Sequence, residues 1–305
     1  MRALITGGRG FVGAHLCAHL IAEGDDVTSV DRDCDVTDLD ALRAVVRASQ
    51  PDVVYHLAAL THVGDSWTNQ NEFTRVNVLG SKNLLDAVRL DAPEASVILV
   101  SSSEVYGVVH DDDLPLGESF RTAPANPYSA SKLEAERIAR EAHRDYGQRV
   151  VIARPFNHVG PGQTDTFVIP ALVNRLLEAL ERGREEIPVG DLSTRRDFSD
   201  VRDVVRAYRL LALHGRSGEV YNVASGHDVA ISDIASRLRD EIAPNVALVV
   251  DPTLLRPVEV PVTRGRVDKI HEATGWEPEI SLTRSLHDVI EDIRTRRSRA
   301  GASPK

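Results

Sequence analysis

The apolar positions of this chain alternate between short β-branched runs and longer amphipathic stretches. Arg2-Thr6 reads as a buried strand, and a helical pattern follows from about Phe11 to Glu23. Asp26-Val30 reads as a second strand, and Leu39-Ala48 as a helix ended by Gln50-Pro51. Val53-His56 and Ser96-Val100 are further strands, with a helix expected from about Glu72 to Leu90 between them. Pro127 stands where a first helical residue often does, opening a helix to about Tyr146 before a strand at Arg149-Ala153. This βαβα rhythm predicts an α/β protein built on a doubly wound parallel sheet. Past Pro155 the pattern loosens, which predicts a smaller C-terminal lobe. The expected division gives residues 1–156, with about 197–225, to the sheet domain. About 157–196 and 226–295 go to the lobe, and 296–305 to a flexible tail.

Composition narrows the function classes. The chain has 305 residues, 42% hydrophobic and 27% charged, enough for a large core. A net charge of -10 argues against nucleic acid or an anionic membrane as partner. No apolar run approaches a membrane span, and the first residues read as a strand, not a leader. With two cysteines, Cys17 and Cys34, no disulfide framework is expected, and a cytoplasmic location follows.

Thr6-Gly7-Gly8-Arg9-Gly10-Phe11-Val12-Gly13 joins the first strand to the first helix. Glycines there let backbone N–H groups approach a pyrophosphate at a helix N-terminus, the device of Rossmann-type dinucleotide sites. Gly7, Arg9, Gly10, Phe11, Val12 and Gly13 are therefore candidate cofactor residues. Asp31 ends the second strand, where a carboxylate can bond a ribose 2′-hydroxyl, and Asp35-Val36 can flank the adenine. Asp31 favours NAD(H). Arg9 and Arg32 are near enough in sequence to accept the 2′-phosphate of NADP(H). The balance leans to NAD(H). No metal site is expected.

Tyr128-Ser129-Ala130-Ser131-Lys132 sets a phenol and an ammonium on one helix face. Of 36 Lys+Arg only Lys82, Lys132, Lys269 and Lys305 are lysine, so a lysine at this spacing stands out. A tyrosine titrates near pH ~10, and poising it near neutrality takes roughly 4 kcal/mol. One cation at ~7 Å with an effective dielectric of ~20 supplies about 2.4 kcal/mol. A second donor must help. Ser101-Ser102-Ser103-Glu104 follows an apolar strand, where ligands of parallel sheets bind, and a hydroxyl there can steady a substrate carbonyl.

Together these residues resemble the short-chain dehydrogenase/reductase superfamily, in its extended nucleotide-sugar branch. The resemblance covers nearly the whole chain. It implies Ser102 as hydroxyl partner, Tyr128 as acid/base and Lys132 as its electrostatic support, lowering the phenol's pKa and holding the nicotinamide ribose. Glu104 falls where dehydratases of the branch place a base, and Ser103 where some carry an acid. Leu57, Ala58, Ala59, Asn77 and Pro155, with Tyr128 and Lys132, join the implied cofactor set. The helix bearing Tyr128, which also holds Glu134, Glu136 and Arg137, commonly helps such proteins form a homodimer.

Ala153-Arg154-Pro155-Phe156-Asn157-His158-Val159-Gly160-Pro161-Gly162-Gln163 is similar to the matching segment of GDP-6-deoxy-D-mannose reductases. Asp65-Ser66-Trp67, Val189-Gly190-Asp191-Leu192, Arg196 to Asp203, Arg256 to Pro261 and Thr274 to Pro278 agree in order and spacing. A GDP-sugar partner is implied, with Arg196 and Arg256 as candidate phosphate clamps. Asn157 and Glu259 are candidates for sugar and ribose oxygens. Ser66, Ser103, Glu104, Val168 and the main chain near Val189 complete the implied substrate set. The short run Arg32-Asp33-Cys34 after Asp31 resembles the reductases, whereas Glu104 points towards dehydration.

The expected activity is NAD(P)H-dependent reduction of a nucleotide-sugar C4 ketone. The alternatives are a 4,6-dehydratase or 4-epimerase with bound NAD(P), or a non-catalytic NAD(H)-sensing protein. His15 and His19 stand four apart but lack a third ligand and are expected at the surface. His62 either lines the pocket or serves its loop, and Cys17 has no partner for nucleophilic work.

Overall fold

The sheet begins where the pattern places it: the runs at residues 2–6, 53–56 and 96–100 are largely buried, while Asp26–Val30 is a mostly exposed edge. The computed structural model describes residues 1–255 and 260–301; Arg256 and Glu259 lie outside the described residues. The strands β1 (Arg2–Thr6), β2 (Asp26–Val30), β3 (Val53–His56), β4 (Ser96–Val100) and β5 (Arg149–Pro155) are followed by β6 (Asn157–Val159) and β7 (Glu186–Val189). Then come β8 (Arg195–Asp200), β9 (Val220–Val223), β10 (Asp228–Ala230) and β11 (Ala247–Val250). Six of them form one parallel sheet in the order β2-β1-β3-β4-β5-β9. The order reverses between β1 and β3, the position at which doubly wound sheets open a ligand crevice.

Helices cover both faces of this sheet. One layer holds α1 (Phe11–Ala22), and the other α2 (Leu39–Ser49), whose Asp38 cap accepts from Asp40 N and Ala41 N. Two single turns, α3 (Val63–Ser66) and α4 (Gln70–Phe73), lead into a π-helical stretch at Thr74–Leu79 and then α5 (Gly80–Asp91). The uniform helix expected from Glu72 thus starts earlier and widens in its middle. The wide turns carry buried Asn77 inwards, where its amide pairs with Leu60 N at 2.8 Å and Leu60 O at 3.0 Å.

A long helix, α6 (Pro127–Tyr146), is started by an Asn126 cap with Pro127 at its first position and stopped by Gly147 at φ +68. The second core gathers α7 (Val168–Arg182), α9 (Ile231–Ile242) and α11 (Leu282–Gly301) against β7 and β8, with α8 (Val201–His214) returning to the main sheet. A short α10 (Asp268–Thr274) precedes α11. The tail expected to fray from Arg296 is instead helical through Gly301. Amphipathic spacing holds Ile290 and Ile293 in the core, and Arg297 pairs with Glu181 at 2.5 Å.

Candidate active site

The glycine loop is shaped by contacts that tolerate no side chain. Gly7 has φ +74, and a Cβ there would meet Ala58 N at 2.8 Å, so the loop lies against the segment leaving β3. At Gly13 a Cβ would meet the Gly7 carbonyl oxygen at 2.2 Å. The N-cap of α1 is Gly10, and no side chain caps the helix. Its first N–H groups and the positive end of its dipole therefore face an open cradle, the environment a pyrophosphate needs. Leu57, Ala58 and Ala59 are half-buried beside it, with Leu57 N donating to Thr6 O at 3.2 Å. The Phe11 ring stacks on His158 at 6.1 Å, linking α1 to β6, and Val12 packs on the core. These residues fit a dinucleotide.

Asp31 sits at the β2 end, its carboxylate accepting from Arg9 N at 3.0 Å and Arg32 N at 2.9 Å. The Arg9 guanidinium pairs with Asp33 at 3.2 Å, and Arg32 is exposed. Asp35 accepts from Thr37, while the Val36 side chain is buried in the core against Gly80.

The serine, tyrosine and lysine of the expected catalytic set lie around the end of β4. Ser102 Oγ accepts from Glu104 N at 3.2 Å, and its hydroxyl acts on the buried Tyr128 phenol. Burial pushes the phenol up to about 12, against the influence of the Ser102 hydroxyl, and the Glu104 charge pushes the same way as burial. The Lys132 ammonium donates to the Val100 carbonyl at 2.7 Å, and the resolved influences on Tyr128 come from burial, Ser102 and Glu104. Burial pulls Lys132 down to about 8, with Glu136 acting upwards. Asn77 Nδ2 donates to Ser131 Oγ at 2.9 Å, and Ser131 donates to the Tyr128 carbonyl, so the cofactor side and the catalytic helix share one polar network. Pro155 closes β5, two residues beyond its expected end, and is buried.

The implied substrate residues divide. Glu104 is half-buried and held by Asn126 Nδ2 at 3.2 Å, and Ser103 is buried in the same turn. Arg196 is buried on β8 and donates to the Arg195 carbonyl at 3.0 Å; Asn157 is exposed on β6, directly in register with Phe198. Val168 opens α7 and is 40% exposed. Ser66, expected to face substrate, is fully buried with its hydroxyl donating to Val63 O at 2.7 Å. The Val189 carbonyl accepts from Asp251 N at 2.8 Å, because β7 is followed closely by the chain after β11.

Three residues escaped the sequence reading. Asn126 was marked by Asn-Pro followed by a serine three on, a helix-start signature. Glu136 looked like part of a charged surface face but is fully buried, a fact signalled only by Ala135 and Ala139 around it. His56, at the end of β3, is buried between Thr6 and Ser81, and nothing in a short apolar run announces that. His15 and His19 are half-buried instead of exposed, His15 meeting the Pro161 carbonyl at 2.8 Å. Among the described residues no cluster of three potential metal ligands occurs.

A parallel sheet with an uncapped glycine cradle at its switch point, and a serine, tyrosine and lysine at the next strand end, defines a Rossmann-type nicotinamide-dependent oxidoreductase. The chain belongs to the NAD dependent epimerase/dehydratase family, whose pattern matches residues 3–224. It is 38% identical over 300 residues to GDP-6-deoxy-D-mannose reductase of Pseudomonas aeruginosa, covering 97% of this chain and 98% of that one. A probable dTDP-glucose 4,6-dehydratase of Sinorhizobium fredii is 30% identical, covering 95% and 92%. The fold superposes on RMD from Pseudomonas aeruginosa complexed with NADPH with a TM-score of 0.89 at 36% identity, over 97% of this chain and all of that one (100%). UDP-glucose 4-epimerase of Thermotoga maritima gives a TM-score of 0.89 at 26% identity, over 97% and 99%.

Proposed function

We propose that this chain reduces the C4 ketone of GDP-4-dehydro-6-deoxy-D-mannose to GDP-D-rhamnose with NADPH or NADH. The observation that carries the reading is the buried Tyr128 phenol, with buried Ser102 acting on it from the end of β4, in a chain 38% identical to a GDP-6-deoxy-D-mannose reductase. When bound, the reduced nicotinamide supplies the hydride. Tyr128, whose phenol burial keeps protonated at neutral pH, donates its proton to the carbonyl oxygen, and Ser102 stabilises the charge that develops there. Lys132 holds positive charge close behind, anchored on β4. The residues of the cradle, with Asp31 at the β2 end, hold the dinucleotide. Mixing enzyme, NADPH or NADH and the keto sugar bleaches the nicotinamide absorbance band; no bleaching with either cofactor rejects the reading.

One observation favours a second reading. Asn126 orients the Glu104 carboxylate towards the catalytic turn, as a base for a nucleotide-sugar 4,6-dehydratase or epimerase needs. Cofactor retained through purification, with turnover requiring none added, would select it.

The expected assembly and location are part of the same proposal. Leu79, 42% exposed at the end of the π-helical stretch, lines an apolar groove with Val78 and with Ile138 of α6. A second copy of this chain covers that face, and Leu79→Glu shifts the mass measured by light scattering from dimer to monomer. Cys17 and Cys34 are free thiols, which fits the cytoplasm, and no described helix is long and apolar enough to cross a membrane.

A further inference from the structure

The helix that carries Tyr128 and Lys132 buries a third ionisable side chain one turn beyond Lys132. Glu136 is 0% exposed. One of its carboxylate oxygens accepts from Ser101 Oγ at 2.6 Å and Arg154 Nε at 2.8 Å. The other accepts from Arg154 Nη2 at 2.6 Å and Arg140 Nη2 at 3.4 Å. Arg154, next to last in β5, is as deeply buried, and its guanidinium lies 4.9 Å from the centre of the Tyr106 ring. Replacing such a buried pair with well-packed apolar side chains is often neutral or stabilising. Stability alone is thus a poor account of it.

Its position suggests another. Ser101 is the residue before Ser102, and the Val100 carbonyl that anchors Lys132 is the residue before Ser101. The Glu136 carboxylate therefore lies directly behind the strand end on which the ammonium rests. We infer that Glu136 is the buried counter-charge that keeps Lys132 protonated in a dry site, and that Arg154 and Ser101 fix its orientation for that task. Glu136 is a positioning residue, acting through Lys132. The inference deepens the reductase reading, on which its kinetic arm rests.

The groups facing Lys132 are few. From its own helix come Tyr128 and Glu136, with Arg140 reaching Glu136 from the surface. From β3 comes His56, pushed down to about 3 by burial and by the Lys132 charge, and therefore neutral. From β5 comes Arg154, engaged by Glu136, and from the turn after β4 comes Glu104, which acts on Tyr128. Burial drives Lys132 down towards losing its proton, and Glu136 is the charge that opposes it.

The chain has only four lysines, Lys82, Lys132, Lys269 and Lys305, so isotope-labelled lysine in the full-length protein gives a spectrum simple enough to titrate. Loss of one signal in Lys132→Met identifies it. Glu136→Gln keeps the shape and removes the charge, and the Lys132 titration should fall by about one pH unit. The alkaline limb of kcat for keto-sugar reduction should fall with it, and Glu136→Asp should return both towards wild type. Should Glu136→Gln not fold, Glu136→Leu with Arg154→Met removes both buried charges, and the titration should still fall, by less because a cation goes with the anion. A Lys132 titration unmoved in whichever of these variants folds overturns the inference, whatever happens to turnover. A shifted titration in a protein whose wild type fails to oxidise NADPH or NADH with the keto sugar sinks the reductase reading and leaves the counter-charge standing.

Discussion

Asn126 ties the start of the catalytic helix to Glu104: its Oδ1 accepts from Ser129 N at 2.8 Å while its Nδ2 donates to the Glu104 carboxylate at 3.2 Å. One side chain thus serves as helix cap and as carboxylate partner. Asn126→Asp separates the two roles, because aspartate caps as well as asparagine but sets a second carboxylate against Glu104. Like charges ~4 Å apart repel by about 1 to about 4 kcal/mol as the effective dielectric falls from ~80 to ~20. The variant should lose stability at neutral pH and regain it in acid, where the introduced carboxyl is neutral. Urea midpoints at neutral pH and near pH ~4 measure this. Equal losses at both would show that the contact with Glu104 carries no charge.

Tyr128→Phe removes the proton donor and leaves the ring, which packs edge-on against Phe73 at 6.3 Å. Reduction should slow by roughly 10²–10⁴-fold. NADPH binding, followed by quenching of protein fluorescence, should change little, because the cradle lies on β1 and α1. A variant that keeps wild-type turnover would show that the Tyr128 phenol is not the proton donor.

Much of this site was legible because its chemistry follows periodicity. The Tyr128/Lys132 spacing, the glycine run and the serines after β4 each occupy a place that a parallel sheet assigns, and the strands ran where the β-branched residues indicated. What spacing does not encode is direction. Lys132 shares a helix face with Tyr128, yet its ammonium finds the Val100 carbonyl, an acceptor contributed by a strand 32 residues earlier in the chain. Ser66 lies in a stretch similar to known reductases, but a one-turn helix folds its hydroxyl back on Val63. Glu136 belongs to a helix rich in exposed charge, and the distant Arg154, with Ser101 and Arg140, makes its burial tolerable.

Gly13→Ala tests the cradle. The new methyl would meet the Gly7 carbonyl oxygen at 2.2 Å and Gly8 Cα at 2.7 Å, both backbone atoms that cannot rotate away. The loop must shift, and the first N–H groups of α1 lose their aim at the pyrophosphate. Dinucleotide affinity should drop by at least about tenfold, a loss of about 1.4 kcal/mol or more. Gly24→Ala supplies the comparison, a strained position at φ +80 with nothing near its Cβ and no part in the cradle. If both variants lower affinity equally, the loop's shape is not what binds.

His56 gives the protein a defined dependence on acid. Its Nδ1 lies 2.8 Å from Thr6 Oγ1 and its Nε2 3.1 Å from Ser81 Oγ. The single Ser81 hydroxyl proton goes to the Asn77 carbonyl at 2.6 Å, so Ser81 must accept from Nε2–H. Nδ1 is then an acceptor for Thr6, and the ring is held neutral in one tautomer. Burial first, and Lys132 second, push its pKa down to about 3, whereas an unfolded histidine titrates near ~6.5. Between those values the unfolded chain binds the extra proton. Stability linked to His56 is thus fully present above pH ~6.5 and is lost as pH falls towards 3, at up to about 1.4 kcal/mol per unit. His56→Gln keeps a donor towards Ser81 and cannot titrate. The stability advantage of wild type over this variant, from urea unfolding at several pH values, should shrink steadily below pH ~6.5. An advantage independent of pH would mean that the folded protein accommodates the imidazolium, and the neutral ring bridging Thr6 to Ser81 would have to be abandoned.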